Sequence, residues 1–215
     1  MRDDGAVGRH AEAGASPDVG VPSTGAGLSY ERDDDAVILA AIRRDDLRAA
    51  LTLIDQRFGA AVYRFVRNLV GADDLADDVY QTTLIEAYRD LPTFGGRSSL
   101  RTWLFSIARH RCLDALKASR RRAARFESTA DAPEVADHGP RADQRMTDAQ
   151  LLAALERCLE QVPPELRMVL LLRFQEGFGY DDIARITRLR NETLRARVSR
   201  AMPALRACIE RQGAV

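Results

Sequence analysis

Residues 180–200 read YDDIARITRLRNETLRARVSR, and this stretch decides the fold. Tyr180-Asp181-Asp182-Ile183-Ala184-Arg185-Ile186 reads as a short helix, residues 187–190 as a turn, and Asn191 as the cap of a last helix. A short helix, a tight turn and an arginine-bearing helix make the layout of a helix-turn-helix. In the last helix Leu194, Val198 and Leu205 are expected inside, which leaves Thr193, Arg195, Ala196, Arg197 and Arg200 outside. Side chains near the N-terminal end of such a helix reach base edges in the major groove, and later arginines reach phosphates. The same spacing also suits an ordinary helical hairpin with a solvated arginine face.

Working outward, Pro163-Pro164 opens a helix that Gly177 and Gly179 end. Leu151, Leu152, Leu155 and Leu159 mark another helix from Asp148. Residues 118–147 lose the apolar period and contain Pro133, Gly139 and Pro140, the composition of a flexible linker. From Ala36 to Lys117 apolar residues recur at three and four, and Gly59 and Gly71 divide the run into separate helices. Asp73 starts one of them, because acidic side chains suit a helix N-terminus. Its expected buried stripe is Leu75, Val79, Leu84 and Tyr88, and Leu91-Pro92 stops it. Ser98 or Ser99 then caps a long helix carrying Trp103, Leu104, Ile107, Leu113 and Leu116. The first 32 residues, rich in Gly, Ala, Ser, Pro and Asp, read as a disordered tail. No strand-like alternation occurs. The expected fold is all-α: a tail over 1–35, a helical bundle over 36–118, a linker over 119–147 and a helix-turn-helix bundle over 148–215.

The 215 residues hold 32 Lys plus Arg and 32 Asp plus Glu, a net charge of zero that argues at first against a nucleic-acid binder. The distribution reverses that argument. Residues 1–35 carry a net −5, from three Arg and eight acidic residues. Residues 97–125 hold nine basic residues against Asp114, and residues 185–206 seven Arg against Glu192. Such blocks are faces for partners of opposite sign. No apolar run is long enough to span a membrane and no secretory h-region opens the chain, so a cytoplasmic protein is expected. Cys112, Cys158 and Cys208 lie far apart with no C-x-x-C, which predicts neither a disulfide scaffold nor a metal cage; the three read as helix-core or surface residues rather than redox sensors.

The helix from Asp73 carries Asp74, Asp77, Asp78 and Gln81 on one face. No His or Cys lies at helical spacing to complete a metal site, so a docking face for a basic partner is the better reading, with dipole complementarity accounting for part of it. The segment Phe94-Gly95-Gly96-Arg97-Ser98-Ser99-Leu100-Arg101-Thr102-Trp103-Leu104-Phe105 joins a glycine loop, aromatics and arginines, a set that suits single-stranded nucleic acid. Without Gly-Lys-Ser/Thr it is no P-loop. Core packing is the favoured role of Trp103. No nucleophile, metal cluster or His/carboxylate constellation indicates an enzyme.

These three motifs in this order resemble a bacterial RNA polymerase sigma factor of the extracytoplasmic-function (ECF) group. The resemblance covers about residues 36–118 and 148–209. It rests on Leu75-Ala76-Asp77-Asp78-Val79-Tyr80-Gln81-Thr82-Thr83-Leu84, on Phe94 to Lys117, on Val162-Pro163-Pro164-Glu165-Leu166-Arg167 through Gly177, and on Tyr180–Ala184 with Arg195-Ala196-Arg197. It implies a region-two domain whose Asp74, Asp77, Asp78 and Gln81 dock on the β′ clamp helices of core RNA polymerase. Phe94, Arg97, Ser98, Arg101, Arg109, His110 and Lys117 would melt and hold the minus-ten promoter element. A region-four domain would bind the β flap and read the minus-thirty-five element through Asn191, Thr193, Arg195, Ala196, Arg197 and Arg200. The resemblance further implies promoter DNA and a cognate anti-sigma factor as partners, no cofactor, no metal, no catalysis and no membrane insertion. Melting needs no covalent chemistry: capture returns about 1–3 kcal/mol per unstacked base against about 1.4 kcal/mol of stacking per step. That near balance suits a subunit working inside a larger enzyme. Three departures stand out. His110 occupies a position where the family commonly has Asn, the turn Thr187–Arg190 lacks Gly and Pro, and Pro203 should kink or end the last helix. The competing class is a stand-alone helix-turn-helix regulator, which should bind duplex DNA unaided, normally as a dimer.

Overall fold

Apolar spacing of three and four builds helices throughout. A computed structural model of the chain describes the backbone of residues 27–126 and 147–212, with the side chains of 35–125 and 147–212. The first bundle holds α1 (Gly27–Arg43), α2 (Leu47–Val70), α3 (Asp73–Asp90) and α4 (Leu100–Phe126). The second holds α5 (Asp148–Glu160), α6 (Pro164–Leu170), α7 (Tyr180–Thr187) and α8 (Asn191–Arg211). Among the described residues there is no strand. The expected tail 1–26 and the linker stretch 127–146 lie outside the described residues.

Local chemistry sets the helix ends. Asp46 accepts the Ala49 N–H at 3.1 Å to start α2, and Gly71, at φ 80°, turns its N–H onto the Arg67 carbonyl to end it. Ser99 caps α4 by accepting the Thr102 N–H at 3.0 Å. Thr147 and Gln150 form a capping box ahead of α5. Burying Ile54, Phe58, Val62, Phe65, Val66 and Leu69 fixes α2 at the centre of the first bundle, each side chain contributing about 1.5–3 kcal/mol.

Several expectations need correction. α1 begins at Gly27, inside the expected tail, and α4 runs to Phe126, inside the expected linker. No Pro or Gly interrupts residues 28–43, and the Arg/Ala run 120–125 is strongly helix-forming, so both helices extend beyond their apolar period. Gly59 does not break α2. It lies where Tyr80 of α3 crosses, and a Cβ there would stand 2.5 Å from the Tyr80 hydroxyl. The buried stripe of α3 is Ala76, Val79, Thr83 and Ala87; Leu75 and Leu84 are half-buried and Tyr88 is exposed. Small residues win that face because α2 approaches closely. Asn191 is the first residue of α8 rather than its cap, and its amide donates to Asp181 on α7. Pro203 does not end α8, which continues to Arg211.

Cys158 on α5 and Cys208 on α8 form a disulfide, contrary to the reading of isolated cysteines. Fifty residues separate them in sequence, but α5 and α8 are neighbours in the second bundle, with the two Cα atoms 5.9 Å apart. Sequence distance hides that proximity. Only Cys112 remains a free thiol among the described residues, and it is buried.

The two bundles share one continuous core. Phe105 of α4 is the bridge. Its ring lies 5.3 Å from Phe65 of α2 and 5.0 Å from Phe178, in the turn before α7.

Candidate nucleic-acid interface

The acidic face stands clear of the core. Asp74, Asp77, Asp78 and Gln81 all lie exposed on α3, spaced three and four apart so that one side of the helix presents them together. Tyr63 of α2 donates to Asp77 at 2.8 Å, a bond that raises the phenol pKa above its ordinary value. Arg67 pairs with Asp73 at 2.8 Å. Neighbours therefore orient part of the row without covering it.

The loop before α4 carries Phe94, which tilts against Trp103 at 5.3 Å. Trp103 is half-buried at the edge of the core rather than within it. Arg97 is exposed beside Gly96, whose φ of 65° suits glycine. Ser98 is partly exposed.

The basic residues of α4 divide between two faces. Arg101 and Arg109, eight residues apart, turn toward the second bundle. Arg101 donates to the Glu176 carbonyl at 2.6 Å and stacks over the Phe178 ring at 4.1 Å. Burial and the nearby charge of Arg188 lower the pKa of the Arg109 guanidinium. His110 and Lys117 are exposed on another face, with His110 3.5 Å from Asp114. Sequence spacing sets all seven residues along one element; in the structure Phe94, Arg97 and Ser98 lie in the loop before α4, Arg101 and Arg109 turn toward the second bundle, and His110 and Lys117 lie on another face.

Glu176 is the polar centre of the contact between bundles, its side chain only 1% exposed. It receives Arg64 at 3.2 Å, Gln175 at 2.8 Å and Arg101 at 3.4 Å. A π-type turn at Leu171–Gln175 aims it inward, with the Glu176 N–H bonded to the Leu171 carbonyl. Thr102 donates to Asp182 at 3.2 Å across the same contact. Neither Glu176 nor Asp182 was marked by sequence reasoning. A carboxylate at the end of an apolar run, just before Gly177, was the available signal for Glu176.

In the second bundle α7 and α8 form the expected helix-turn-helix. Ile183, Ile186, Leu194 and Val198 are buried between them. Arg188 takes the left-handed conformation, φ 60°, where glycine is commoner, so the Gly-less turn still closes. Arg195, Ala196 and Arg200 are exposed, and Thr193 and Arg197 partly so. Arg195 lies over the Tyr180 ring at 4.6 Å, which holds its guanidinium at the mouth of the motif. The outward face is the one the spacing requires, although Leu205 is only half-buried. Among the described residues no group of three His, Cys, Asp or Glu side chains is placed to hold a metal ion, and no helix is long and apolar enough to cross a membrane.

Comparison with known proteins matches residues 54–122 to sigma-70 region 2 and residues 152–205 to sigma-70 region 4. The RNA polymerase sigma-H factor of Pseudomonas aeruginosa is 30% identical over 183 residues, 81% of this chain and 93% of that protein. The ECF RNA polymerase sigma-E factor of Escherichia coli is 31% identical over 185 residues, 81% of this chain and 94% of that protein. The chain belongs to the sigma-70 family, in the ECF group. As a sigma factor it directs transcription initiation, and the stand-alone regulator is not favoured. The sigma factor RpoE of Bartonella quintana, solved with the anti-sigma factor NepR, superposes with a TM-score of 0.56 at 26% identity, covering 73% of this chain and 96% of that one. CnrH, solved with the cytosolic domain of CnrY, shares the fold at a TM-score of 0.60 and 23% identity, covering 82% of this chain and 97% of that one. The acidic row and the loop before α4 fall in region 2 of this sigma factor, and the helix-turn-helix falls in region 4.

Proposed function

We propose that this sigma factor binds core RNA polymerase through Asp74, Asp77, Asp78 and Gln81, with the β′ clamp helices as the docking site. Phe94, Arg97 and Ser98 then hold the non-template strand of the minus-ten element, joined by Arg101, Arg109, His110 and Lys117. Region 4 sits on the β flap and reads the minus-thirty-five element through Asn191, Thr193, Arg195, Ala196, Arg197 and Arg200. In this reading the first domain spans α1 to α4 and the second spans α5 to α8. The protein works in the cytoplasm by binding alone, without catalysis. A cognate anti-sigma factor is its regulator, a reading supported by the RpoE–NepR pair.

One observation carries the reading: a solvent-facing acidic row and an arginine-bearing helix-turn-helix occur in one chain, on separate bundles. A polymerase subunit needs both a protein-docking face and a DNA-reading face; a stand-alone regulator needs only the second. In the closed arrangement Arg101 and Arg109 face α7, so promoter engagement requires region 4 to leave α4. Weak DNA binding by the free chain is the expected consequence.

The test is a pair of variants. Asp77→Arg with Asp78→Arg should weaken co-purification with core polymerase by roughly tenfold or more, since like charges oppose across the interface. Arg195→Ala with Arg197→Ala should leave it unchanged. Unaltered core binding by the first pair would refute the docking assignment.

A further inference from the structure

α5 has few anchors: the disulfide, buried Ala154, Leu159 against the core, and Arg167 of α6 donating to the Glu160 carbonyl at 2.7 Å. Its only fully buried side chains are Ala154 and Cys158, while Leu151 and Leu152 on its outer side are 41% and 60% exposed. Apart from the Cys158–Cys208 disulfide, its side-chain tie to α8 and the residue after it is Arg157 to Gln212, at 3.1 Å and exposed. The disulfide closes a loop that contains the whole helix-turn-helix. It also grips α8 beyond Pro203, where the helix lacks one backbone hydrogen bond.

Both cysteines are buried, 2% and 7% exposed, but they sit in the wall of an opening between helices. Cys158 and Cys208 line an open cleft of about 770 Å³ between the α5–α6 junction and α8. Arg197, Arg200 and Arg211 line the same cleft. Positive charge beside a cysteine favours the thiolate, both as attacking and as leaving group. Cys112 is the contrast: its thiol is buried, and burial pushes its pKa up to about 12. All three cysteines are buried, but Cys158 and Cys208 border a cleft with three arginines on its walls, so a small opening of α5 exposes their sulfurs.

A factor that works on promoter DNA works in a compartment where dithiols keep most cysteines reduced. Disulfides that form there are usually transient or redox-sensing rather than permanent. We propose that Cys158 and Cys208 are a reversible redox pair that clamps α5 onto α8 and thereby sets whether the cleft between these helices is closed. The exchange partner is a dithiol/disulfide couple of the thioredoxin class. Its thiolate attacks one sulfur, the Cys158–Cys208 bond breaks, and the other cysteine leaves as a thiolate that takes up a proton. The partner's second thiol then displaces the mixed disulfide. Two electrons pass to this chain, and the partner leaves oxidised. The reverse sequence restores the clamp. With the bond open, α5 parts from α8 and uncovers Val162, Leu166 and Leu205 beside the helix that carries Arg197 and Arg200.

The compartment argument rests on the sigma-factor reading, but the test does not. The full-length chain is equilibrated in glutathione or dithiothreitol redox buffers, quenched with an alkylating agent and analysed by peptide mass, with hydrogen exchange in parallel. The account expects Cys158 and Cys208 to move together between disulfide and two alkylated thiols. Reduction should speed exchange in residues 148–160 by about tenfold or more, while α2 is unchanged. Cys158→Ser should exchange fast in this helix under both conditions, and Cys112→Ser should behave as the native chain. A pair that stays as two thiols in oxidising buffer, or stays bonded in excess dithiothreitol under native conditions, overturns the proposal. So does a reduced chain whose α5 exchanges as slowly as the oxidised one. Loss of core polymerase binding would bear on the sigma reading and leave these readouts intact.

Discussion

Arg101 of α4 and Glu176, at the end of the π-type turn, join the two bundles through a 2.6 Å bond from guanidinium to backbone carbonyl and a 3.4 Å contact to the carboxylate. The bond to the carbonyl survives any change of the Glu176 side chain; the ion pair does not. Glu176→Ala also strands Arg64, whose side chain is 54% exposed and regains water readily. The expected cost is therefore about 1–3 kcal/mol, below the 3–5 kcal/mol typical of breaking a fully buried pair. Small-angle scattering should show a larger radius of gyration for the variant, because α7 parts from α4. An unchanged radius would mean that Phe105 and Phe178 hold the bundles together without the ion pair.

At Gly59 α2 and α3 cross closely. Tyr80 donates to Asp55 directly above it, and a Cβ at Gly59 would lie 2.5 Å from both the Tyr80 hydroxyl and Asp55 Oδ1. Helix propensity favours alanine by about 1 kcal/mol, and overpacking opposes it by about 1–3 kcal/mol. Gly59→Ala should destabilise region 2 by up to roughly 2 kcal/mol in urea unfolding. The same substitution in Tyr80→Phe should cost less, since the hydroxyl is gone. Equal costs in both backgrounds would remove Tyr80 from the explanation.

The arginine face of α8 makes a prediction with two parts. Arg195→Ala and Arg197→Ala should each lower affinity for a minus-thirty-five duplex. A base contact costs about 1–3 kcal/mol, a factor of roughly 5 to 150. A phosphate contact instead lowers the slope of log affinity against log salt by about one. A salt titration of each variant, holopolymerase on duplex DNA, separates the roles. Wild-type affinity and slope in both would take these arginines out of the interface.

Cys112 should be silent to alkylating agents at pH 8 while the chain is folded, since burial holds its thiol as the protonated form up to about 12. The unfolded thiol ionises near its ordinary value of 9.0. Its folded pKa is raised, so it leaves stability untouched below pH 9 and removes stability as pH rises from there toward 12. Cys112→Ala should flatten that alkaline decline in a pH series of thermal unfolding. An identical decline in the variant would assign it to another group.

Much of this molecule was legible in its sequence because helices declare themselves by spacing. Leu194 and Val198 place Arg195 and Arg197 outward, and the row Asp74, Asp77, Asp78, Gln81 needs only helical geometry to form a face. The illegible parts come from tertiary contact. Gly59 looks like a helix breaker until Tyr80 crosses it. Large residues Leu84 and Tyr88 look buried, yet close approach of α2 selects Ala76, Thr83 and Ala87. Arg101 and Arg109 look like a nucleic-acid surface, and their turn toward α7 depends on a domain contact that no local pattern encodes. Cys158 and Cys208 meet only because the first and last helices of region 4 are neighbours.

The central claim is that this chain confers promoter specificity on core RNA polymerase, and run-off transcription tests it most directly. Purified core polymerase is given sheared genomic DNA as template, with and without the chain, and the 5′ ends of the transcripts are sequenced. The account predicts start sites that arise only with the chain present and share one pair of upstream elements, read by regions 4 and 2. They should vanish with Arg195→Ala plus Arg197→Ala and with Asp77→Arg plus Asp78→Arg. Transcript ends identical with and without the chain would contradict it.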